Sequence, residues 1–334
     1  MRAYIMPAGC KGIDDLRLVE RPDPTPGPGQ VLVRVRAASL NYRDQAAITG
    51  NYFQPVTADT VPLSDGAGEV IGVGAGVLSL KVGDKVAGVF SQPDPKGPAN
   101  GPNLPMGLPL DGMLQEQIVM YESGAVKLPA GYSFEDGACL PCAGVTAWNC
   151  LMAAGKPVKP GDTVLVLGTG GVSIWGLQLA KAAGCKVVAT TGNEGKIQRL
   201  QALGADAVIN YKTHEKWDEE VMTATGGKGV DVVVEVGGAG TLQRSFQSVA
   251  MGGKIGLIGV MTQGTSNPHT LMMKGASLHG IFVGPRPLFE QLVAAIEVNN
   301  IKPVIDKVFP FADAQHAYRH QHSGDFMGKV VIAV

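Results

Sequence analysis

Between residues 163 and 284, short apolar runs alternate with stretches of helical periodicity. Strands buried on both faces are continuously apolar, and parallel strands need helices as their connections, so this alternation predicts a parallel sheet. The predicted strands are Thr163–Leu167, Lys186–Thr191, Ala207–Asn210, Val230–Val236, Lys254–Val260 and Ser277–Val283. Helices are predicted over Val172–Ala183 and Lys196–Leu203. Strands joined by helices in this way indicate an α/β fold with a doubly wound sheet.

The chain on either side of this region has a different pattern. Its first 125 residues contain short alternating strands joined by Gly/Pro turns, and strand patterns return after a helix near 288–299. The strand and helix predictions here are Val31–Val35, Val70–Val77, Lys85–Phe90, Val304–Phe309, Ala312–His320 (helix) and Lys329–Val334. We therefore expect a discontinuous β-rich domain, 1–125 and 296–334, interrupted by a second domain, 126–295. The Pro- and Gly-rich stretch Ser91–Gly112 is predicted to be a long loop.

Composition excludes several classes of function. The formal net charge is −1 and no block of like charges occurs, which argues against a nucleic-acid or anionic-membrane partner. The longest uncharged run, Thr163–Ala180, contains four glycines and fits a strand, turn and helix better than a membrane span. No secretory signal pattern opens the chain, and its odd count of 5 cysteines does not suggest disulfides. A cytoplasmic location is expected.

A glycine-rich turn follows the first buried strand and opens a helix. Gly168 permits the tight turn, and Gly170 lets backbone approach a pyrophosphate closely. The turn ends at Gly171, and the helix predicted from Val172 then offers free N–H groups and a positive dipole end. Ser173 replaces the third glycine of the G-x-G-x-x-G pattern. In this strand–turn–helix context the motif predicts a dinucleotide site.

The end of the second strand bears on which dinucleotide binds. Sites that prefer NAD place Asp or Glu there, whereas this strand ends in Thr191, Gly192 and Asn193. Lys196 lies on the next helix, where a cation suits a 2′-phosphate. NADPH is therefore favoured, with NADH as the open alternative. The competing interpretation of this lysine is an ordinary solvated helix face.

Several motifs resemble the medium-chain dehydrogenase/reductase superfamily over essentially the whole chain. The matching pieces are Pro24 to Val33, Gly72 to Val77, Val82 to Val86, Leu128-Pro129, Ala143 to Ala147, Leu203 to Tyr211 and Gly328 to Val331. The resemblance implies a GroES-like catalytic domain interrupted by a Rossmann domain, with the cofactor in the cleft between them. It also implies homodimers, for which the apolar strand Ser277–Val283 is the expected sheet edge.

Members of the superfamily that this chain resembles differ in whether they use zinc. Zinc-dependent members bind the catalytic metal with Cys, a His-Glu pair and a second Cys or Asp, and the equivalent places here hold Asn41, Ser64-Asp65 and Cys142. A catalytic zinc needs about three protein ligands, which this set does not supply. The loop equivalent to the structural-zinc lobe, Ser91–Gly112, contains no cysteine. The chain is instead similar to the zinc-free, quinone-oxidoreductase-like branch, so no metal is expected.

That similarity also implies site residues. The segment 40–44 with Gly50 and Tyr52 resembles the one lining the nicotinamide pocket, and Lys196 and Tyr211 match contacts to a 2′-phosphate, although Tyr211 is equally well explained by packing. The remaining implied cofactor contacts are Thr146, Gly237, Gly259, Val260, Phe282, Val283, Gly328 and Lys329.

Without a metal, hydride transfer is easier to a conjugated acceptor, because conjugation spreads the negative charge that develops. Hydrogen-bond donors can stabilise the enolate or phenolate, and the candidates are Asn41, Tyr42 and Tyr52. Tyr42 could equally be a packing residue. Arg43 and Asp44 could orient this segment, or form a buried ion pair that only holds it.

The favoured hypothesis is an NADPH-dependent, zinc-independent reductase of α,β-unsaturated carbonyls or quinones, acting on small hydrophobic substrates. One alternative is an alcohol dehydrogenase-type enzyme that interconverts alcohols with aldehydes or ketones. Another is a protein that binds NADPH without catalysis.

Overall fold

The computed structural model describes residues 1–259 and 262–334. It divides into two compact units, 1–143 with 285–334, and 144–284. The second unit is thus inserted in the first, as the sequence pattern suggests, but its limits lie inside the expected 126–295. Strand 125–127 pairs with strand 85–88, and the Arg286 side chain donates a hydrogen bond to the Glu122 carbonyl. These contacts attach the segments before and after the second unit to the first unit.

Strands and helices are numbered in chain order. The strands are β1 (Arg2–Ile5), β2 (Arg17–Glu20), β3 (Gln30–Ser39), β4 (Asp65–Val73), β5 (Lys85–Gly88), β6 (Ser91–Pro93), β7 (Asn103–Pro105), β8 (Gln117–Tyr121), β9 (Ala125–Lys127), β10 (Thr163–Val166), β11 (Lys186–Thr191), β12 (Ala207–Asn210), β13 (Val230–Glu235), β14 (Val249–Leu257), β15 (Ser277–Gly280), β16 (Ile305–Pro310) and β17 (Lys329–Ala333). The helices are α1 (Tyr42–Ile48), α2 (Phe134–Ala138), α3 (Val145–Trp148), α4 (Gly171–Ala182), α5 (Ile197–Ala202), α6 (Trp217–Ala224), α7 (Ala239–Ser248), α8 (His269–Lys274), α9 (Arg286–Val298) and α10 (Ala314–His322). In the described ranges, no helix is both long and apolar enough to cross a membrane.

The first unit is built on a sheet whose strand order is β16-β17-β3-β4-β5-β9, with β8 also paired to β3. The long strand β3 lies at its centre and bonds antiparallel to β4, β8 and β17. Its inward side chains join a core that also contains Leu40, Tyr318 and Ile332, all at most 1% exposed. This packing places the end of β3, the start of β4 and the start of β17 side by side, because Ser39 pairs with both Asp65 and Val331.

The second unit confirms the predicted doubly wound sheet. Its strand order is β12-β11-β10-β13-β14-β15, and every neighbouring pair is parallel. The strand order reverses between β10 and β13, so the carboxyl ends of these strands flank the crevice where such sheets bind ligands. The central strands are rich in valine because both faces are covered, and Val164 and Val233 are fully buried.

Two predictions for the first unit need correction. The segment Ser91–Gly112 is not a plain loop, because β6 and β7 pair as a short antiparallel ladder within it. The strand expected at Val70–Val77 begins earlier, at Asp65. Gly68 lies inside this strand, and a Cβ there would come within 2.1 Å of the Arg34 carbonyl oxygen. Only glycine allows that approach.

Candidate functional site

The glycine turn after β10 forms the centre of the site in the second unit. Gly168 has φ of +73°, a left-handed conformation that favours glycine. A Cβ added to Gly170 would meet no atom within 4 Å, so the space before this backbone is open to a ligand. Gly171 and Val172 begin α4, whose first N–H groups lack partners within the helix. An anion such as a pyrophosphate fits this helix terminus.

Ser173, which interrupts the glycine motif, has a structural role. Its hydroxyl donates a hydrogen bond of 2.6 Å to the carbonyl of Leu167 and is 1% exposed. The bond fastens α4 to the end of β10, which is the close packing that the third glycine of the motif otherwise permits. The replacement therefore leaves the turn intact.

The residues expected around a 2′-phosphate meet at the ends of β11 and β12. The Tyr211 backbone N–H donates to the Thr191 carbonyl at 3.0 Å. The Tyr211 ring lies against Gly192, where a Cβ would stand 2.5 Å from its hydroxyl oxygen. The Asn193 side chain accepts from the Gly195 N–H at 2.9 Å and begins the turn that carries Lys196, which is 9% exposed. This brings Thr191, Gly192, Asn193 and Tyr211 together, with Lys196 on the turn that follows.

Glu235 is a functional candidate that the sequence reasoning missed. This fully buried carboxylate accepts hydrogen bonds from the N–H groups of Gly237 and Gly238, at 2.7 and 3.0 Å. It also accepts from the hydroxyls of Thr241 and Ser245. Glu235 thus shapes the loop after β13, which includes the predicted contact Gly237. A carboxylate two residues before a pair of glycines at a strand end was the available signal.

The other cofactor candidates of this unit lie on separate segments. Thr146 is buried in α3, and a Cβ on Gly259 would stand 1.7 Å from the Val236 carbonyl oxygen. Phe282 is 60% exposed, whereas Val283 is buried with φ of +50° and its carbonyl accepts from the Asn149 side chain at 2.7 Å. A β-branched residue in that region is uncommon and typical of functional segments. Val260 lies outside the described residues.

In the first unit a polar cluster forms where β3, β4 and β17 meet. We use the name polar cluster for Asn41, Asp65, Cys142 and Lys329. The Lys329 ammonium donates to the Leu40 carbonyl at 2.7 Å and to Asn41 Oδ1 at 2.5 Å, and its side chain is 3% exposed. Its Nζ lies 3.8 Å from Asp65 Oδ2. Gly328 places Lys329 here, because its φ of +82° lets the chain pass close to Val304.

The Asp65 carboxylate connects the cluster. It is 0% exposed, and its two oxygens accept from the Ser64 hydroxyl at 2.7 Å and the Cys142 N–H at 2.9 Å. Burial raises the pKa of the Cys142 thiol to about 12, and Asp65 raises it further while Lys329 and Arg43 oppose the rise. The thiol is therefore neutral at physiological pH in this structure.

Arg43 and Asp44 are directed to different partners. Asp44 Oδ2 accepts from the Asn41 N–H at 2.7 Å, and burial raises the pKa of this carboxyl to about 6, against the lowering effect of Arg43. The Arg43 guanidinium donates to the carbonyls of Met106 and Leu108, at 2.7 and 3.0 Å. Arg43 thus anchors the segment after β7, and Asp44 fixes the start of α1.

The two tyrosine candidates differ in environment. Tyr42, the first residue of α1, is 47% exposed. The Tyr52 hydroxyl lies 3.4 Å from Arg43 Nε, and the Arg43 guanidinium stands 5.2 Å from the Tyr52 ring centroid. The ring of Tyr52 also packs on Phe53, with centroids 4.2 Å apart. Tyr52 is therefore held in place, whereas Tyr42 is largely open to solvent.

Comparisons with known proteins identify the superfamily to which this architecture belongs. The model for the alcohol dehydrogenase GroES-like domain matches residues 27–130, and that for zinc-binding dehydrogenases matches residues 171–297. A zinc-type alcohol dehydrogenase-like protein of Schizosaccharomyces pombe is 40% identical over 341 residues, which covers 99% of both chains. The chain belongs to the medium-chain dehydrogenase/reductase superfamily.

Other members of the superfamily show a similar relationship. A quinone oxidoreductase of Rattus norvegicus is 30% identical over 317 residues, covering 92% of this chain and 90% of its own. The crystal structure of an NAD-dependent alcohol dehydrogenase covers 100% of both chains with a TM-score of 0.90 and 33% identity. As a member of this superfamily, the protein is an NAD(P)-dependent oxidoreductase.

One of the two matching domain families is described as zinc-binding. The side chains of the polar cluster, however, are a poor set of zinc ligands. In the polar cluster only Asp65 and Cys142 are common zinc ligands, and both Asp65 oxygens already accept hydrogen bonds. The ammonium of Lys329 stands 3.8 Å from the same carboxylate and would repel a second cation. Across residues 1–259 and 262–334, no three His, Cys, Asp or Glu side chains group closely enough to hold a metal. The described side chains do not fit a catalytic zinc.

Proposed function

We propose that this protein is an NADPH-dependent, zinc-independent oxidoreductase that transfers hydride to an α,β-unsaturated carbonyl compound or a quinone. One observation carries the proposal: a buried lysine ammonium, rather than a set of metal ligands, lies among Asn41, Asp65 and Cys142. A reaction centre of this kind offers hydrogen-bond donors and positive charge but no Lewis acid. Conjugated acceptors suit it, because their charge is delocalised before it reaches the oxygen.

The choice of NADPH is supported by the turn after β11. Thr191, Gly192 and Asn193 carry no negative charge, so no carboxylate stands at the end of β11. The next residue, Glu194, accepts a hydrogen bond of 2.8 Å from the Asn210 side chain. Lys196 supplies a cation at the start of α5, and the Tyr211 hydroxyl lies at the same strand ends. The open backbone at Gly170 and the terminus of α4 would hold the pyrophosphate.

When bound, the reduced nicotinamide supplies the hydride. The protein's own residues would bind and polarise the acceptor. The amide nitrogen of Asn41 is buried and has no hydrogen-bond partner in the described structure, so it is available to donate to a carbonyl oxygen. Tyr52, held by Arg43, is a second donor for the same charge. Tyr42 is exposed and contributes contact surface rather than a fixed proton.

Interconversion of alcohols with aldehydes or ketones is the second candidate. It is favoured by the similarity, 40% identity over 99% of both chains, to a zinc-type alcohol dehydrogenase-like protein. A saturated ketone concentrates the developing charge on one oxygen, so this reaction would depend more strongly on a metal or a protein acid.

We further propose that the enzyme is a cytoplasmic homodimer. Its cysteines are free in the described structure, which suits a reducing compartment. Strand β15 lies at the edge of its sheet, where Leu278 is 40% exposed and Phe282 beyond it is 60% exposed. An apolar edge strand of this kind is normally covered, and a second copy of β15 would cover it symmetrically. Light scattering at micromolar concentration should give twice the chain mass.

The decisive experiment measures NADPH oxidation with a panel of enones, enals, quinones and saturated ketones, with and without a chelator. We expect turnover of conjugated acceptors that survives the chelator, and purified protein with far less than one zinc per chain. Turnover confined to saturated ketones would reject the proposed substrate class. One tightly bound zinc per chain, with activity lost on its removal, would reject zinc independence.

A further inference from the structure

Lys329 is a buried cation of the first unit. It begins β17, and its side chain turns into the first unit rather than toward solvent, with 3% of it exposed. A lysine is seldom buried unless its charge is matched or its ammonium is bonded. Here two of its donors are used, one on the Leu40 carbonyl and one on Asn41 Oδ1.

The bond to Lys329 determines how the Asn41 amide is turned. An ammonium only donates, so the atom of the amide that faces it at 2.5 Å must be the oxygen. The amide nitrogen, Nδ2, then faces away. It is buried and has no partner among the described residues. Buried polar atoms are almost always paired in native proteins, so an orphaned donor at this point indicates a ligand atom that pairs with it.

Asp65 faces the Lys329 ammonium without a direct hydrogen bond to it. The nearest carboxylate oxygen is 3.8 Å from Nζ, beyond hydrogen-bond distance, and both carboxylate oxygens already accept from other groups. Lys329 contacts Asn41 directly, with Nζ 2.5 Å from the amide oxygen. It polarises the amide and makes its N–H groups stronger donors.

We propose that Lys329 is a positioning residue that holds Asn41 with its Nδ2 donors directed at the substrate carbonyl oxygen, and whose charge stabilises the oxyanion in place of a metal. The proposal rests on the proposed function in assuming that the substrate carries such an oxygen. As hydride from NADPH adds to the β-carbon, the carbon–carbon π pair becomes the π bond between the α-carbon and the carbonyl carbon, and the carbonyl π pair goes onto oxygen. The acceptor is reduced by two electrons, Asn41 donates a hydrogen bond without losing its proton, and water protonates the α-carbon.

The test is a double-mutant cycle with Lys329→Met, Asn41→Ala and both together. If Lys329 acts through Asn41, each single change should lower kcat by roughly 100-fold, a typical loss for one oxyanion donor. The double variant should then fall no more than about threefold below Asn41→Ala alone, because the effects are not additive. Independent, multiplying losses would overturn the proposal.

A spectroscopic readout separates this role from simple packing. The enal 4-(dimethylamino)cinnamaldehyde absorbs at longer wavelength when its carbonyl oxygen accepts a strong hydrogen bond, and it can be bound with oxidised NADP, without turnover. We expect a red shift with the unaltered protein, a smaller one with Lys329→Met and none with Asn41→Ala. The matched control is Lys307→Met, an exposed lysine on the neighbouring strand β16, which should keep the full shift. An unchanged shift in Lys329→Met would overturn the proposal.

Two further comparisons keep the result interpretable. If Lys329→Met fails to fold because Asp65 is left as an unpaired buried charge, Lys329→Met with Asp65→Asn removes both charges and should show the same loss of kcat and of the shift. Wild-type kcat and a full shift in that pair would overturn the proposal. If the unaltered enzyme reduces only saturated ketones, the conjugated-substrate proposal fails, but the cycle is run on the ketone and still decides the role of Lys329.

Discussion

Replacing Gly170 by alanine should separate cofactor binding from stability. The residue has φ of −72° and ψ of 174°, which any L residue adopts, and the added Cβ meets no atom within 4 Å. Alanine is slightly worse than glycine before a helix, but it also restricts the unfolded chain, by about 0.4–1 kcal/mol. The two effects oppose each other, so the free energy of unfolding should change by less than about 0.5 kcal/mol.

Binding of the dinucleotide should respond differently. The open space before Gly170 is where a pyrophosphate would approach the N–H groups that begin α4. A methyl group there would displace the phosphate from one or two charge-assisted hydrogen bonds, each contributing about 1.5–3 kcal/mol. A loss of about 3 kcal/mol corresponds to a roughly 100-fold rise in Kd for NADPH.

The assay is titration of NADPH followed by its fluorescence, together with urea unfolding of the same samples. Gly12→Ala is the matched control, because Gly12 is also extended, with φ of −164°, and also has open space around it, but lies in the other unit. It should change neither quantity. If Gly170→Ala bound NADPH within about threefold of the unaltered protein, the glycine turn would not be the pyrophosphate site.

Three more predictions follow from single side chains. Burial raises the pKa of Asp44 from 3.8 to about 6, so between pH 4 and 6 the folded protein keeps a proton on Asp44 that the unfolded chain has released. The free energy of unfolding should therefore fall by up to about 3 kcal/mol as the pH rises through this window. Asp44→Asn should abolish that pH dependence in urea unfolding. Glu235→Gln should destabilise by about 2–4 kcal/mol because an amide cannot accept all four bonds, whereas exposed Glu290→Gln should have little effect. Lys196→Met should raise KM for NADPH by roughly 10–100-fold and leave NADH nearly unaffected, while Lys186→Met, at the far end of β11, should alter neither.

The parallel sheet could be read from the sequence because its signals are local. Strands β11 and β12 begin and end at the predicted residues, 186–191 and 207–210. Each is an apolar run flanked by a glycine and a polar turn, so neighbours in the chain determine its limits. The glycine turn before α4 follows the same logic. Its conformation depends on residues a few positions apart, and the structure contains it where it was expected.

The first unit was harder because distant segments determine its strands. Gly66 and Gly68 precede the predicted strand Val70–Val77, yet both belong to β4, where they allow the backbone of β3 and the Met113 side chain to come close. The ladder between β6 and β7 joins segments of a Pro- and Gly-rich stretch that carries no alternating pattern. In both cases the deciding contact is made by a partner strand, which local periodicity cannot reveal.

Contacts between residues distant in the sequence also determine the chemistry of the candidate site. The sequence shows that the usual zinc ligands are replaced, because the residue types at those positions can be read directly. It does not show what occupies their place, because Lys329 and Asn41 are 288 positions apart. By resemblance Lys329 is expected to contact the cofactor, and that stays a prediction; the structure adds that its ammonium donates to Asn41 and Leu40. Under the proposed function, that one contact decides whether a carbonyl oxygen meets a metal or a polarised amide.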